Sequence, residues 1–365
     1  MAPFNDSEIK ARLLKYLARA FDCPGLDYAV GPDRILGGRD AAIFGFAIEP
    51  ALPGLSGPLI LRLARAQTNP SRVQLEAIVH NTLAAMGYPV PRVVAMEPEV
   101  TVLGGPFMIM TRLAGRPLAQ EIDSIGRGSS FVDQVRRLAS LPAILSGITD
   151  TWVDVQIRLH ELPPETLFGA LAEADIKRDR ITLDGQLTRL EGVIEECNLA
   201  GLRAGMSWLL SHRPQAPLRA GICHGDFHPL NILAEQGRVT GIIDWSNVVI
   251  ASAEMDVGSA LANISTVPFD VPRLLSVPLS GLVRLILRRY YRAYCKRRAL
   301  DDVAVRYFQI FRAIAQLASV GQNLAAGQIE GGAFQSEVGV RNLIKLVRKL
   351  SGVELHLAGF GRSRL

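Results

Sequence analysis

Between residues 224 and 247 the chain reads HGDFHPLNILAEQGRVTGIIDWSN. Two histidines, two aspartates and two asparagines crowd around two short apolar runs. Polar side chains that dense beside buried runs are costly unless something uses them. The runs Ile232-Leu233-Ala234 and Val239–Ile243 flank Gly237 and predict a β-hairpin. A two-residue Gly237-Arg238 turn of type II′ pairs 234 with 241 and 231 with 244. The hairpin then returns Asp244 to the side of Asn231, with Asp226 five residues upstream. A carboxylate, an amide and a second carboxylate converge at one end of a small ribbon. Oxygen ligands of that kind suit Mg²⁺, a hard ion that shares its shell with phosphate oxygens.

The rest of the chain must present this segment. With 365 residues it exceeds one comfortable hydrophobic core, so two lobes are expected. Residues 7–20 read as a helix capped by Ser7, with Ile9, Leu13, Leu14 and Leu17 on one face. Residues 28–64 read as strands, with Gly37 and Gly38 at a hairpin turn. TNPSRVQLEAIVHNTLAAMGYPVP reads as a helix: Asn69 caps it, Pro70 suits its first turn and Gly87 closes it. PFMIM at 106–110 is a further strand. After that the period changes, and residues 131–212 and 279–350 carry helical spacing. The expectation is an α+β chain, with a sheet-rich lobe at 1–112 and a mainly helical lobe at 113–365.

Several classes are excluded on pattern. There is no run long enough to cross a bilayer, and MAPFNDSEIK lacks the basic-then-apolar pattern of a secretory signal. Four cysteines without regular spacing (Cys23, Cys197, Cys223, Cys295) read as reduced thiols. A cytoplasmic protein is expected, with no membrane partner. No phosphate-binding G-x4-GK[ST] loop, nucleophile elbow, zincin helix or dinucleotide fingerprint occurs. Net charge is +5, and residues 273–312 carry ten Lys or Arg against Asp301 and Asp302. That stretch reads as a solvated helix face. No known nucleic-acid module is recognisable in it, so no nucleic acid is expected.

The ordered set Asp226, Asn231 and Asp244 follows the protein-kinase order of catalytic aspartate, asparagine five positions on, then metal-binding aspartate. HGDFHPLNIL followed by GIIDW resembles the aminoglycoside phosphotransferase family, the small-molecule branch of the protein-kinase-like fold. A further aspartate, Asp256 in AEMDVGSAL, matches the continuation of that pattern. The resemblance implies a bilobal protein-kinase-like fold, with a small antiparallel-sheet N-lobe and a larger helical C-lobe. It implies a kinase that moves the γ-phosphate of ATP, with GTP left open, to a hydroxyl of a small molecule. Asp226 would orient that hydroxyl and accept its proton, and Asn231 and Asp244 would hold Mg²⁺. His224 braces the loop. His228 either touches the transferred phosphate or packs the loop, and Asp256 supports both.

On the nucleotide side, Arg62 in LILRLA alternates away from Leu61 and Leu63, and it matches the strand lysine of kinases. Arginine binds phosphate bidentately. Glu76, fourteen residues on, would pair with it. Gly37 and Gly38 match the phosphate-covering turn, although Arg39-Asp40 stands where the family carries Ser-Asn. Backbone groups of Thr111 and Leu113 would meet the adenine edge. The alternative is a non-catalytic kinase-fold protein that binds nucleotide or a partner. The acceptor and the oligomeric state are left open. The basic 273–312 stretch argues for a neutral or anionic acceptor.

Overall fold

The structure is a computed structural model and describes residues 5–35, 41–52, 54–120, 131–214, 219–268, 273–327 and 333–360. In chain order the elements begin α1 (Asp6–Ala20), β1 (Asp27–Ile35), β2 (Ala41–Glu49), β3 (Leu59–Ala64), α2 (Pro70–Ala85), β4 (Val93–Glu97), α3 (Val100–Leu103), β5 (Phe107–Thr111) and β6 (Arg116–Pro117). Helices α4 (Phe131–Glu161), α5 (Pro164–Glu173), α6 (Leu183–Glu196) and α7 (Arg203–Ser211) follow. Then come strands β7 (Ala220–Cys223), β8 (Ile232–Glu235), β9 (Arg238–Ile242) and β10 (Val249–Ser252). Helices α8 (Ala253–Thr266), α9 (Arg273–Arg297), α10 (Asp302–Ala325) and α11 (Glu337–Ser351) complete the chain.

Two compact units result. The first comprises Met1–Pro117, Glu165–Ile176 and Asn231–Ser246, and the second comprises Leu118–Pro164, Lys177–Leu230 and Asn247–Leu365. The lobes read from the sequence, 1–112 and 113–365, were continuous segments. The units are discontinuous because the first also gathers Glu165–Ile176 and the β8–β9 hairpin.

In the first unit, five antiparallel strands run in the order β1-β2-β3-β5-β4. Strand alternation divides their side chains between two faces. Leu59, Leu61, Leu63, Phe107 and Ile109 pack with Ile9, Leu13 and Leu17 of α1. Met108 and Met110 pack with Val73 of α2 on the other face. Arg62 alternates with Leu61 and Leu63, so the strand turns it to the α2 face. The cap of α1 is Asn5, not Ser7: Asn5 and Glu8 exchange bonds in a capping box. That box satisfies two backbone donors reciprocally, which a lone serine cannot. Asn69 caps α2 with Pro70 in its first turn, as the sequence indicated.

The β8–β9 hairpin corrects the expected register. Glu235 pairs with Arg238, Ala234 with Val239 and Ile232 with Ile242, with a bulge between Leu233 and Ala234. The turn residues are Gln236 and Gly237, with φ of 51° and 76°. Two positive φ values define a type I′ turn, whose twist matches the flanking strands. The turn therefore sits one residue earlier than a glycine-first turn would put it. The Asn231 carbonyl accepts from Ile243 N–H at 3.0 Å, so Asn231 faces 243 rather than 244.

The second unit is mainly helical. Its core gathers Leu187, Ile194, Met206, Leu209, Phe308, Ile314, Leu317, Leu343 and Val347 around the β7–β10 pair. Helices α8 and α10 come close at Gly258, where an added Cβ would lie 2.7 Å from the Val305 carbonyl oxygen. The four cysteines are free. Among the described residues no helix is long and apolar enough to cross a membrane.

Candidate active site

The residues singled out in the sequence fall into two sets, one in each unit. In the second unit, β7 ends at Cys223 and the chain enters the loop His224-Gly225-Asp226. Gly225 has φ of 78°, and a Cβ there would lie 2.1 Å from the Asn247 carbonyl oxygen. Only glycine meets both conditions. Gly225→Ala should lower stability by at least about 1–3 kcal/mol from backbone strain alone. Thermal unfolding of the variant checks this.

Asp256, at the start of α8, anchors this loop. Its Oδ2 accepts from His224 N–H at 2.9 Å, and its Oδ1 accepts from Gly225 N–H at 2.6 Å. Its third partner is His160 Nε2 at 3.1 Å, and His160 Nδ1 lies 2.6 Å from the Tyr294 hydroxyl. His160 and Asp256 are essentially fully buried. A carboxylate so deep is tolerable because every face meets a donor. His224 is also buried; its Nδ1 accepts from Asp226 N–H at 3.3 Å and its ring meets Phe227 edge-on. Bonds at both of these points make His224 a brace.

Asp226 remains one-fifth exposed, and three donors converge on its Oδ1. Asn263 Nδ2 donates at 2.6 Å, Arg312 Nη2 lies at 3.3 Å and His228 Nε2 lies at 3.6 Å. Arg312 Nε in turn donates to Asn263 Oδ1 at 3.0 Å. Burial pushes the Asp226 carboxyl up, but Arg312, then the two histidines, more than reverse this and hold it well below the usual carboxylate range. The solvated-face reading of 273–312 fails at its last residue. Arg312 is turned inward on α10, and Arg297 is engaged with Asp150 and Asp154.

In the first unit, Arg62 Nη1 lies 2.8 Å from Glu76 Oε2, with Glu76 almost fully buried. Burial pushes the Glu76 carboxyl up and Asp244 adds to that, while Arg62 opposes it. Asp244 follows β9 with φ of 68°, and its Oδ1 accepts from the Ser246 hydroxyl at 3.1 Å. A non-glycine residue in the left-handed region is uncommon and concentrates at functional positions. Trp245 is buried; its Nε1 donates to the Ile242 carbonyl and its ring meets Tyr88 edge-on. Asn231 is mostly buried at the start of β8. Thr111 N–H donates to the Arg92 carbonyl at 2.9 Å, so that N–H is engaged within the first unit. Leu113 packs against Gly241, where a Cβ would lie 1.9 Å from Leu113 Cδ1. Gly37 and Gly38 lie outside the described residues.

Asn231 and Asp244 flank the two ends of one hairpin, and an amide oxygen and a carboxylate are hard oxygen donors of the kind that fits Mg²⁺. Asn263, Arg312, His160 and Tyr294 escaped the sequence reading. Two signals existed. Asp256, Ser259, Asn263 and Thr266 recur at helical spacing, and all are buried. Arg312 falls four residues after Phe308 and seven after Val305, on the apolar stripe of α10.

A small antiparallel sheet carrying a strand–helix Arg–Glu pair, with a mainly helical second unit, defines the protein-kinase-like class of phosphotransferases. The chain belongs to the APH phosphotransferase enzyme family, whose model matches residues 52–301. It is thus a small-molecule kinase. Solved structures agree on the fold. One is a Ralstonia eutropha JMP134 protein assigned as an aminoglycoside phosphotransferase (TM-score 0.62, 16% identity, covering 95% of this chain and 99% of that one). Another is aminoglycoside phosphotransferase APH(4)-Ia with AMP-PNP and hygromycin B (0.57, 14%, 93% and 99%). A third is macrolide 2′-phosphotransferase MphH from Brachybacterium faecium (0.51, 15%, 94% and 99%). No curated protein matches the chain.

Proposed function

We propose that the protein transfers the γ-phosphoryl group of ATP to a hydroxyl of a small molecule, with Asp226 as the acceptor-orienting base and Mg²⁺ held by Asn231 and Asp244. The observation that carries this reading is the state of Asp226. It is a partly exposed carboxylate, kept ionised and fixed through one oxygen, on a loop that Asp256 braces. A structural aspartate needs satisfaction; this one is also aimed and left accessible.

Phosphoryl transfer asks little covalent help of a protein and mostly needs positioning and charge neutralisation. Asp226 would accept a hydrogen bond from the incoming hydroxyl. The hydroxyl oxygen bonds to the γ-phosphorus as the bond to the bridging oxygen breaks, ADP leaves with that electron pair, and the proton passes to Asp226. Mg²⁺ bound at Asn231 and Asp244 would neutralise phosphate charge. Arg62, held by Glu76, would bind phosphate oxygens. Backbone groups of Thr111 and Leu113 would meet the adenine, and the lobes read at 1–112 and 113–365 would divide these tasks. His224 and Asp256 hold the loop, and His228 stands beside the base.

The acceptor suits a neutral or anionic alcohol better than a polycation. Arg312 offsets the charge of Asp226, and Arg297 pairs with Asp150 and Asp154, so less negative charge is left to attract ammonium groups. An ATP-consumption screen across anionic, neutral and cationic hydroxyl compounds tests the function. Magnesium-dependent turnover with one class supports it, and none with any class favours a nucleotide-binding protein without catalysis. Arg62→Ala should raise the KM for ATP. It should also cost about 3–5 kcal/mol, because it leaves a buried carboxylate without its partner. Denaturant unfolding and steady-state kinetics separate the two effects.

A further inference from the structure

We infer that Arg312 is a positioning residue for the transfer: directly and through Asn263, it fixes the orientation in which Asp226 meets the acceptor hydroxyl. The inference rests on the role given to Asp226 above. Arg312 lies 86 residues further along the chain, on α10, and Asn263 lies on α8. The close approach of these helices at Gly258 sets their register, so that both side chains reach the same carboxylate oxygen.

Three features separate this from ordinary packing. Among the described residues, the polar contacts of Arg312 are Asn263 and Asp226 alone. Its guanidinium is committed to Asp226 and to the amide that itself holds Asp226. Asn263 uses both ends of its amide, accepting from Arg312 and donating to Asp226, so the three side chains form a closed triangle. The triangle is only partly exposed, with Arg312 at 13% and Asp226 at 20%, so a guanidinium–carboxylate contact there is screened less than at an open surface.

The charged groups facing Asp226 are Arg312 from α10, with His224 and His228 from its own loop. Asp256 lies behind the loop, its charge met by His160 and two backbone N–H groups. Of Arg312, His224 and His228, Arg312 is the permanent cation. It keeps Asp226 able to accept a hydrogen bond across the working pH range, while Asn263 sets the plane of the carboxylate.

The test uses the full-length protein with Asp side chains labelled at ¹³Cγ. The Asp226 signal is assigned by its loss in Asp226→Asn. In the wild type it should stay that of a carboxylate to below the usual range. In Arg312→Gln its midpoint should move up into that range, and Arg312→Lys should recover most of the difference. Affinity for Mg·AMP-PNP should not change in either variant. With any acceptor found by screening, kcat should fall about 10–100-fold in Arg312→Gln, while the KM for ATP stays put. If Arg312→Gln does not fold, Asn263→Ala, which keeps the arginine but removes the relay, carries the same kcat expectation. A folded Arg312→Gln that titrates like the wild type overturns the inference, as does an Asn263→Ala with unchanged kcat. Failure of every acceptor in the screen overturns the kinase reading instead, and the carboxylate titration still decides whether Arg312 holds Asp226.

Discussion

Asp226→Asn should reduce transfer to the acceptor by about 10²–10⁴-fold, the usual contribution of a positioned base. The substitution preserves shape but deletes the charge and the proton acceptor. Asn263 and Arg312 would then face an amide, and only the amide oxygen could still accept from them. Nucleotide binding should change little, because the groups proposed for Mg·ATP belong to the first unit and Asp226 to the second. Single-turnover transfer measured alongside Mg·AMP-PNP titration checks both halves. There is also a stability signature. Asp226 is held ionised below its ordinary range, so it contributes stability that is present above about pH 4 and fades as the pH falls further. Asp226→Asn should lack that acid-side loss. A variant that loses stability alike at all pH values, and keeps its transfer rate, would make the loop a structural feature only.

Asp244→Asn should act on a different step. The change removes a carboxylate proposed to hold Mg²⁺, so nucleotide affinity should fall with turnover. The loss should reach or exceed the about 10–100-fold that follows removal of an outer partner of a metal ligand. Raising the Mg²⁺ concentration should restore part of it, which excess magnesium cannot do for Asp226→Asn. Asparagine tolerates the left-handed backbone of residue 244 nearly as well as aspartate, so the fold should survive. Removal of the Asp244 charge should also lower the Glu76 titration, because Asp244 helps to raise it. Equal magnesium dependence in wild type and variant would refute the assignment.

Much of this was legible because it is local. Alternation in LILRLA puts Arg62 on the opposite face from Leu61 and Leu63, and a helix fourteen residues later presents Glu76; the pair forms at 2.8 Å. Asn69 and Pro70 announce α2 through capping chemistry that operates within one turn. The hairpin was legible in kind but not in register. Gly237 indicates a turn, but which of its neighbours shares the turn depends on the energy of Gln236 at positive φ against a glycine-first alternative. A bulge in β8–β9 then absorbs the remaining offset.

The sequence by itself determined the order of Asp226, Asn231 and Asp244 along the chain, the sheet-then-helix layout and which of these side chains offer oxygen atoms. These rest on spacing over a few turns of backbone, where local geometry fixes direction. Only the tertiary structure decided what surrounds Asp226. A stretch rich in arginine is equally compatible with a solvated face and with one inward cation. The choice depends on whether a buried carboxylate from another helix or loop stands opposite. Here the approach of α8 and α10 at Gly258 brings Asn263 and Arg312 to one oxygen of Asp226, across separations of 37 and 86 residues. No local pattern encodes that meeting, because the free energy that selects it comes from packing two helices whose contact neither sequence segment contains.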